Sequence, residues 1–179
     1  WASLFGARAI YYRAVHKYDH LKVGIAVPVQ KMIQSEVSGI MFTADPVSSD
    51  PTKTVIDAGL GLGEAIVSGS VTPDHYVVNK NELKIESKEI SHQQWQFVRS
   101  ESGENIHKSG PKAKLNSQKL TDEQIIKLAQ LGQKVEKHYG APQDMEWGFE
   151  GGSFYMIQAR PITTLDNKSQ TPNPKSQTN

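Results

Sequence analysis

Four residues in the last quarter of the chain carry its clearest chemistry: Asp144, Glu146, Gln158 and Arg160. They fall in two stretches, Asp144-Met145-Glu146-Trp147 and Gln158-Ala159-Arg160-Pro161, each with the character of a β-strand. Side chains on a strand alternate faces. Asp144 and Glu146 therefore point one way, and so do Gln158 and Arg160. Carboxylate and amide oxygens suit a hard cation such as magnesium, and a guanidinium suits a phosphate. Gathered on one face, the four make a metal–nucleotide site. The plainer reading is an exposed salt bridge across a hairpin, and residue types alone leave both open.

Between the two stretches lies Glu150-Gly151-Gly152-Ser153, a hairpin turn signal. The two pairs share a face only if facing positions sum to an even number. A three-residue loop at 151–153 pairs Glu150 with Phe154, Glu146 with Gln158 and Asp144 with Arg160. A loop at 150–152 shifts the register but keeps the parity. A two-residue loop sends the pairs to opposite faces, because a one-residue slip flips every side chain. The site reading thus predicts a loop with an odd number of residues.

The elements that must position these residues follow from pattern. Residues 1–18 read as a helix, with Leu4, Phe5, Ala7, Ile10, Tyr11, Ala14, Val15 and Tyr18 near a 3.6 period. Val23, Ile25, Val27 and Val29 alternate over 21–34, and Pro28 makes that an edge or irregular strand. Further strands are expected at 37–43, 53–58, 75–79, 83–90 and 94–99. A short helix over 65–68 is stopped by Gly69. Residues 100–118, with Gly103, Gly110 and Pro111, read as a mobile loop. Thr121 with Gln124 forms a capping box for a helix carrying Ile125, Leu128, Ala129, Gly132, Val135 and Tyr139 on one face. Gly140 and Pro142 end it. Many strands, few helices and hairpin-type connections predict an α+β fold with an antiparallel sheet and flanking helices.

Composition sets outer bounds. The chain has 179 residues, 37% hydrophobic and 22% charged, with net charge +1. That balance gives no argument for nucleic acid or an anionic membrane as partner. No apolar run approaches a membrane span. There is no cysteine, so thiolate metal sites are excluded and a reducing, cytoplasmic setting is expected. The chain opens on Trp1 in mid-helix character. It closes, from Asp166 to Asn179, in polar linker composition with Pro172 and Pro174. It reads as a piece of a longer protein, with a domain over 1–164 and a linker or disordered tail over 165–179.

Other motifs are weaker. Gly59-Leu60-Gly61-Leu62-Gly63-Glu64 follows a strand and precedes a helix, as a phosphate cradle does. It lacks the ending of a Walker loop and the spacing of a dinucleotide fingerprint, and a lone glycine cluster is more often a tight turn. Glu64 suits a ribose hydroxyl or simply a helix N-terminus. Gln30-Lys31-Met32 ends an apolar stretch whose backbone and Met32 side chain suit an adenine, or core filling. His16, His20, His75, His92, His107 and His138 show no zinc-type spacing and are expected to be solvated or capping.

Six blocks together resemble the phosphoenolpyruvate synthase (pyruvate, water dikinase) family. They are Trp1-Ala2-Ser3-Leu4-Phe5 with Arg8-Ala9-Ile10-Tyr11-Tyr12-Arg13, Val29-Gln30-Lys31-Met32, the run Ser38 to Pro46, Gly61 to Gly69, Asp144-Met145-Glu146-Trp147, and Gln158 to Thr164. The rifampicin phosphotransferase family shares most of them. The resemblance implies an ATP-grasp nucleotide-binding lobe that phosphorylates a histidine on a swivelling domain, with ATP and Mg2+ as cofactors. It implies that Glu146 and Gln158 hold magnesium with Asp144 in support, that Arg160 contacts the transferring phosphoryl group, and that Gln30, Lys31 and Met32 meet the adenine. Glu64 remains a ribose or structural element. The family's phosphate-gripping lysine and arginine would precede Trp1, and its phosphohistidine and acceptor domains would follow Asn179. The chain alone is therefore expected to bind ATP weakly or not at all and to be inactive. A noncatalytic nucleotide-binding or interaction module is the alternative outside enzymes.

Overall fold

The computed structural model describes residues 1–163 and Leu165; the tail expected over 165–179 lies, apart from Leu165, outside the described residues. The chain divides into two compact units, residues 1–32 and the chain from Ile33 onward.

In the first unit the expected single helix is two pieces. A 3-10 turn over Ala2–Phe5 is followed by α1 (Ala7–Val15), and the break falls at Gly6, whose backbone is extended at φ −67°, ψ 148°. Arg13 is the buried residue of α1, donating to the Leu4 carbonyl at 2.6 Å and to His20 Nδ1 at 3.1 Å. The strand expected over 21–34 does not form. Pro28 removes one ladder donor, and no strand among the described residues pairs with the segment. Its Val27 and Val29 are exposed.

The second unit is built on a six-stranded antiparallel sheet in the order β4-β3-β2-β1-β7-β8. The strands are β1 (Val37–Phe42), β2 (Lys53–Leu60), β3 (Asp74–Asn79), β4 (Lys84–Glu89), β7 (Gln143–Glu150) and β8 (Ser153–Pro161). A separate hairpin joins β5 (Trp95–Arg99) to β6 (Asn105–Ser109). The segment expected to be a mobile loop thus contains β6. Its side chains are exposed throughout, so no burial alternation marks it in sequence, while Phe97 and His107 pair across the hairpin.

One face of the sheet is the core. Met41, Ile56, Tyr76 and Met145 form one row across it, and Val37, Leu60 and Phe149 another. Helix α3 (Asp122–Tyr139) covers this face with Ile125, Leu128 and Ala129. Its ends are as the sequence predicts: the Thr121–Gln124 capping box forms, and Gly140 takes φ 69° in the left-handed cap that glycine tolerates. Gly132 lets the helix close on the sheet, since a Cβ there would lie 2.8 Å from Met41 Cε. At the end of the core sits a fully buried ion pair, Lys119 Nζ to Asp74 Oδ1 at 3.0 Å. Asp74 also accepts from the Ser91 and Lys119 N–H groups and from the Tyr76 hydroxyl. Burial and that carboxylate push the Tyr76 phenol above its ordinary range.

Candidate functional site

The opposite face of the sheet carries the candidate residues. Asp144 faces Arg160 and Glu146 faces Gln158 across β7 and β8, as the site reading requires, but the expected odd loop is wrong. Glu150 pairs with Ser153 around a two-residue turn, with φ 57° at Gly151 and φ 81° at Gly152. That is the geometry of a type I′ hairpin, which asks for positive φ at both central residues. The parity is restored by a β-bulge. Trp147 pairs with Met156, the next pair is Glu146 with Gln158, and Ile157 is the extra residue. A bulge re-aims the side chains beyond it, and here it brings Gln158 and Arg160 onto the Asp144–Glu146 face.

The two cross-strand pairs differ in state. Arg160 Nε and Nη2 both reach Asp144 Oδ2, at 2.8 and 2.7 Å. The guanidinium is 66% exposed and the carboxylate 15%. Among the described residues no hydrogen bond or ion pair engages the Glu146 carboxylate or the Gln158 amide. Glu146 is half-buried and Gln158 exposed, so an acceptor pair waits beside a tethered cation. This donor set, one uncommitted carboxylate with an amide oxygen and a second carboxylate next to it, fits magnesium. That ion takes one or two protein carboxylates and completes its shell with water and phosphate oxygens. No cluster of three or more acidic, histidine or cysteine ligands occurs among the described residues, so a metal here would depend on ligands from the nucleotide.

Pairing register extends the face across the sheet. The Glu146–Gln158 row continues through Ile40 on β1 and Asp57 on β2 to His75 on β3. His75 Nδ1 and Asp57 Oδ1 are 2.7 Å apart, so this histidine is engaged by a carboxylate and not simply solvated. The Asp144–Arg160 row continues through Phe42, Val55 and Val77, all apolar. Helix α2 (Glu64–Val67) walls one end of the face, where its Ile66 closes over Gly59.

The glycine-rich stretch is built into the fold. Gly61, at φ 83°, lies where a Cβ would strike the Phe97 carbonyl. Its own carbonyl accepts from Ser38 Oγ at 2.6 Å, and Leu62 N–H donates to the Phe97 carbonyl. Residues 59–62 are buried. The close-turn reading of that segment therefore holds. Glu64 stands at the start of α2 and accepts from Asn105 Nδ2 at 2.6 Å. Gln30, Lys31 and Met32 belong to the first unit and are exposed there. Asp57 and His75 were missed in sequence because their pairing is a property of strand register, not of spacing.

Comparison with known proteins gives the class of this lobe. The family described as pyruvate phosphate dikinase, AMP/ATP-binding domain, matches residues 1–179. The chain belongs to that family. It is 48% identical over 165 residues to a probable phosphoenolpyruvate synthase of Methanocaldococcus jannaschii, covering 92% of this chain and 14% of that protein. To the phosphoenolpyruvate synthase of Pyrococcus furiosus it is 47% identical over 178 residues, covering 94% and 22%. A rifampicin phosphotransferase of Bacillus cereus is 44% identical over 165 residues, covering 92% and 19%. The chain thus spans less than a quarter of the length of each of these relatives. No helix among the described residues is long and apolar enough to cross a membrane.

Proposed function

We propose that this chain is the ATP-binding lobe of a dikinase that phosphorylates a histidine on a swivelling domain. Within that class it serves a phosphoenolpyruvate synthase, which converts ATP, pyruvate and water to phosphoenolpyruvate, AMP and phosphate. The domain covers residues 1–164 as an ATP-grasp lobe and works in the cytoplasm. The observation that carries the reading is the uncommitted Glu146–Gln158 pair beside the Asp144–Arg160 ion pair, on a sheet face that α3 leaves open.

In this reading Glu146 and Gln158 hold magnesium, with Asp144 in support. The ion supplies neutralisation of the charge spread over phosphate oxygens. Arg160 turns from Asp144 toward the transferring phosphoryl group, where a preorganised guanidinium stabilises developing charge. Asp144 sets the starting position of that guanidinium and limits its rotamers. Gln30 and the backbone of Lys31 and Met32 meet the adenine. Glu64 meets the ribose, exchanging its hydrogen bond from Asn105.

Kinetics of Arg160→Ala in the whole protein test this. The contact strengthens in the transition state, so kcat falls about 100- to 1,000-fold while KM for ATP changes little. An unchanged kcat with only a raised KM refutes it. The 44% identity to a rifampicin phosphotransferase supports a second reading, with the antibiotic as final acceptor. Assaying the whole protein with pyruvate and with rifampicin separates the two.

A further inference from the structure

On the strength of that reading, we infer that His75, held by Asp57, is an acceptor-side residue of the same face and hydrogen-bonds the imidazole that receives the phosphoryl group. Among the described residues β8 is an edge strand, so from Glu146 and Gln158 the described sheet extends in one direction, over β1, β2 and β3. A group that meets a phosphoryl held at β7–β8 and stays on this face must lie over those strands. Of the rows there, the one through Phe42, Val55 and Val77 is apolar. The row ending at Ser38 and Gly59 is closed by α2 and by the Ser38–Gly61 hydrogen bond. The row of Glu146 itself carries Ile40, then Asp57 and His75. At strand spacings these lie about 5, 10 and 14 Å from Glu146 in backbone position.

The pair has the form of an oriented imidazole. With Asp57 Oδ1 2.7 Å from Nδ1, the carboxylate fixes the tautomer that carries its proton on Nδ1 and leaves a lone pair on Nε2. No group among the described residues occupies Nε2, and the side chain is 39% exposed. The charged groups facing His75 are Asp57 on β2 and Glu89 on β4, both carboxylates. When the acceptor ring attacks, its nitrogen lone pair forms the N–P bond. The P–O bond to the nucleotide breaks, and its electron pair stays on the nucleotide oxygen. The ring becomes cationic and keeps the proton on its other nitrogen. That N–H donates to His75 Nε2, and the Asp57 charge behind His75 stabilises the cation.

The test compares His75→Ala, His75→Gln and Glu146→Gln with the unaltered whole protein. Readouts are Mg–ATP affinity and the rate of phosphoryl transfer. His75→Ala is expected to lower kcat about 10- to 100-fold with Mg–ATP affinity unchanged. His75→Gln, which keeps an acceptor atom near the Nε2 position, restores part of the rate. Turnover within twofold in His75→Ala, while Glu146→Gln loses Mg–ATP binding, overturns this inference alone. Unchanged Mg–ATP binding in Glu146→Gln overturns the underlying site reading and this inference with it. Should His75→Ala fail to fold, His75→Phe, which also lacks an acceptor atom, takes its place, and turnover within twofold of the unaltered protein there is a refutation.

Discussion

Asp74→Ala puts the architecture behind the site under a direct energetic test. Asp74 opens β3, the strand that carries His75, and both members of its ion pair with Lys119 are fully buried. Removing the carboxylate leaves the Lys119 ammonium with the Ser91 carbonyl at 2.6 Å as its remaining acceptor. An uncompensated buried charge of this kind costs about 3–5 kcal/mol. The Tyr76 hydroxyl and the N–H groups of Ser91 and Lys119 lose their acceptor as well, at about 1–3 kcal/mol for each group that water cannot reach. A domain of this size holds about 5–15 kcal/mol in all, so the single change removes a third or more of it. At about 2–4 °C per kcal/mol for a domain of this size, the stranded charge alone lowers Tm by about 6–20 °C, and the stranded donors add to that. Lys119→Met is gentler, because Asp74 keeps three donors, and adding it to Asp74→Ala recovers part of the loss by removing the stranded charge. Urea and thermal unfolding of the three variants measure this. A loss below about 1 kcal/mol in Asp74→Ala, or a larger loss in Lys119→Met than in Asp74→Ala, refutes the reasoning.

Two further predictions concern the sheet. Deleting Ile157 closes the bulge into a regular ladder, with Gln158 following Met156 directly and still opposite Glu146. Cross-strand NOEs between these two positions are expected to persist, at a cost of about 1–2 kcal/mol for the lost side chain, which is exposed at 38%; their loss refutes the register argument. Gly39→Ala places a Cβ on the Asp57 carbonyl and 2.8 Å from Trp147 Cζ2. Neither the central backbone nor the fully buried ring yields easily, so a loss of about 3 kcal/mol is expected in urea unfolding, and a change under 1 kcal/mol contradicts it.

What was readable in the chain depended on how local each determinant is. The capping box at Thr121, the Gly140 terminus and the apolar face of α3 are set by residues within one or two turns of each other, and the cap, the terminus and the face from Ile125 to Gly132 form as the sequence predicts, while Tyr139, expected on that face, is exposed. The β5–β6 hairpin was half legible: Trp95 and Phe97 alternate, but β6 buries nothing and so shows no pattern. The alternation over 21–34 misled, because periodicity reports which way side chains would point and not whether a partner strand exists.

The residue types at the site, and their assignment to a hairpin, were fixed by the sequence itself. Asp144, Glu146, Gln158 and Arg160 alternate with apolar neighbours, and Gly151-Gly152 accepts the positive φ values of a tight turn. Their common face was decided in three dimensions. A two-residue turn would have separated the pairs, and the extra residue at Ile157 brings them back together. The joining of Asp57 to His75, and of both to the Glu146 row, was likewise a tertiary outcome. It rests on the pairing of strands β3, β2, β1 and β7, and register between strands is chosen by the burial of whole faces, which no single segment encodes.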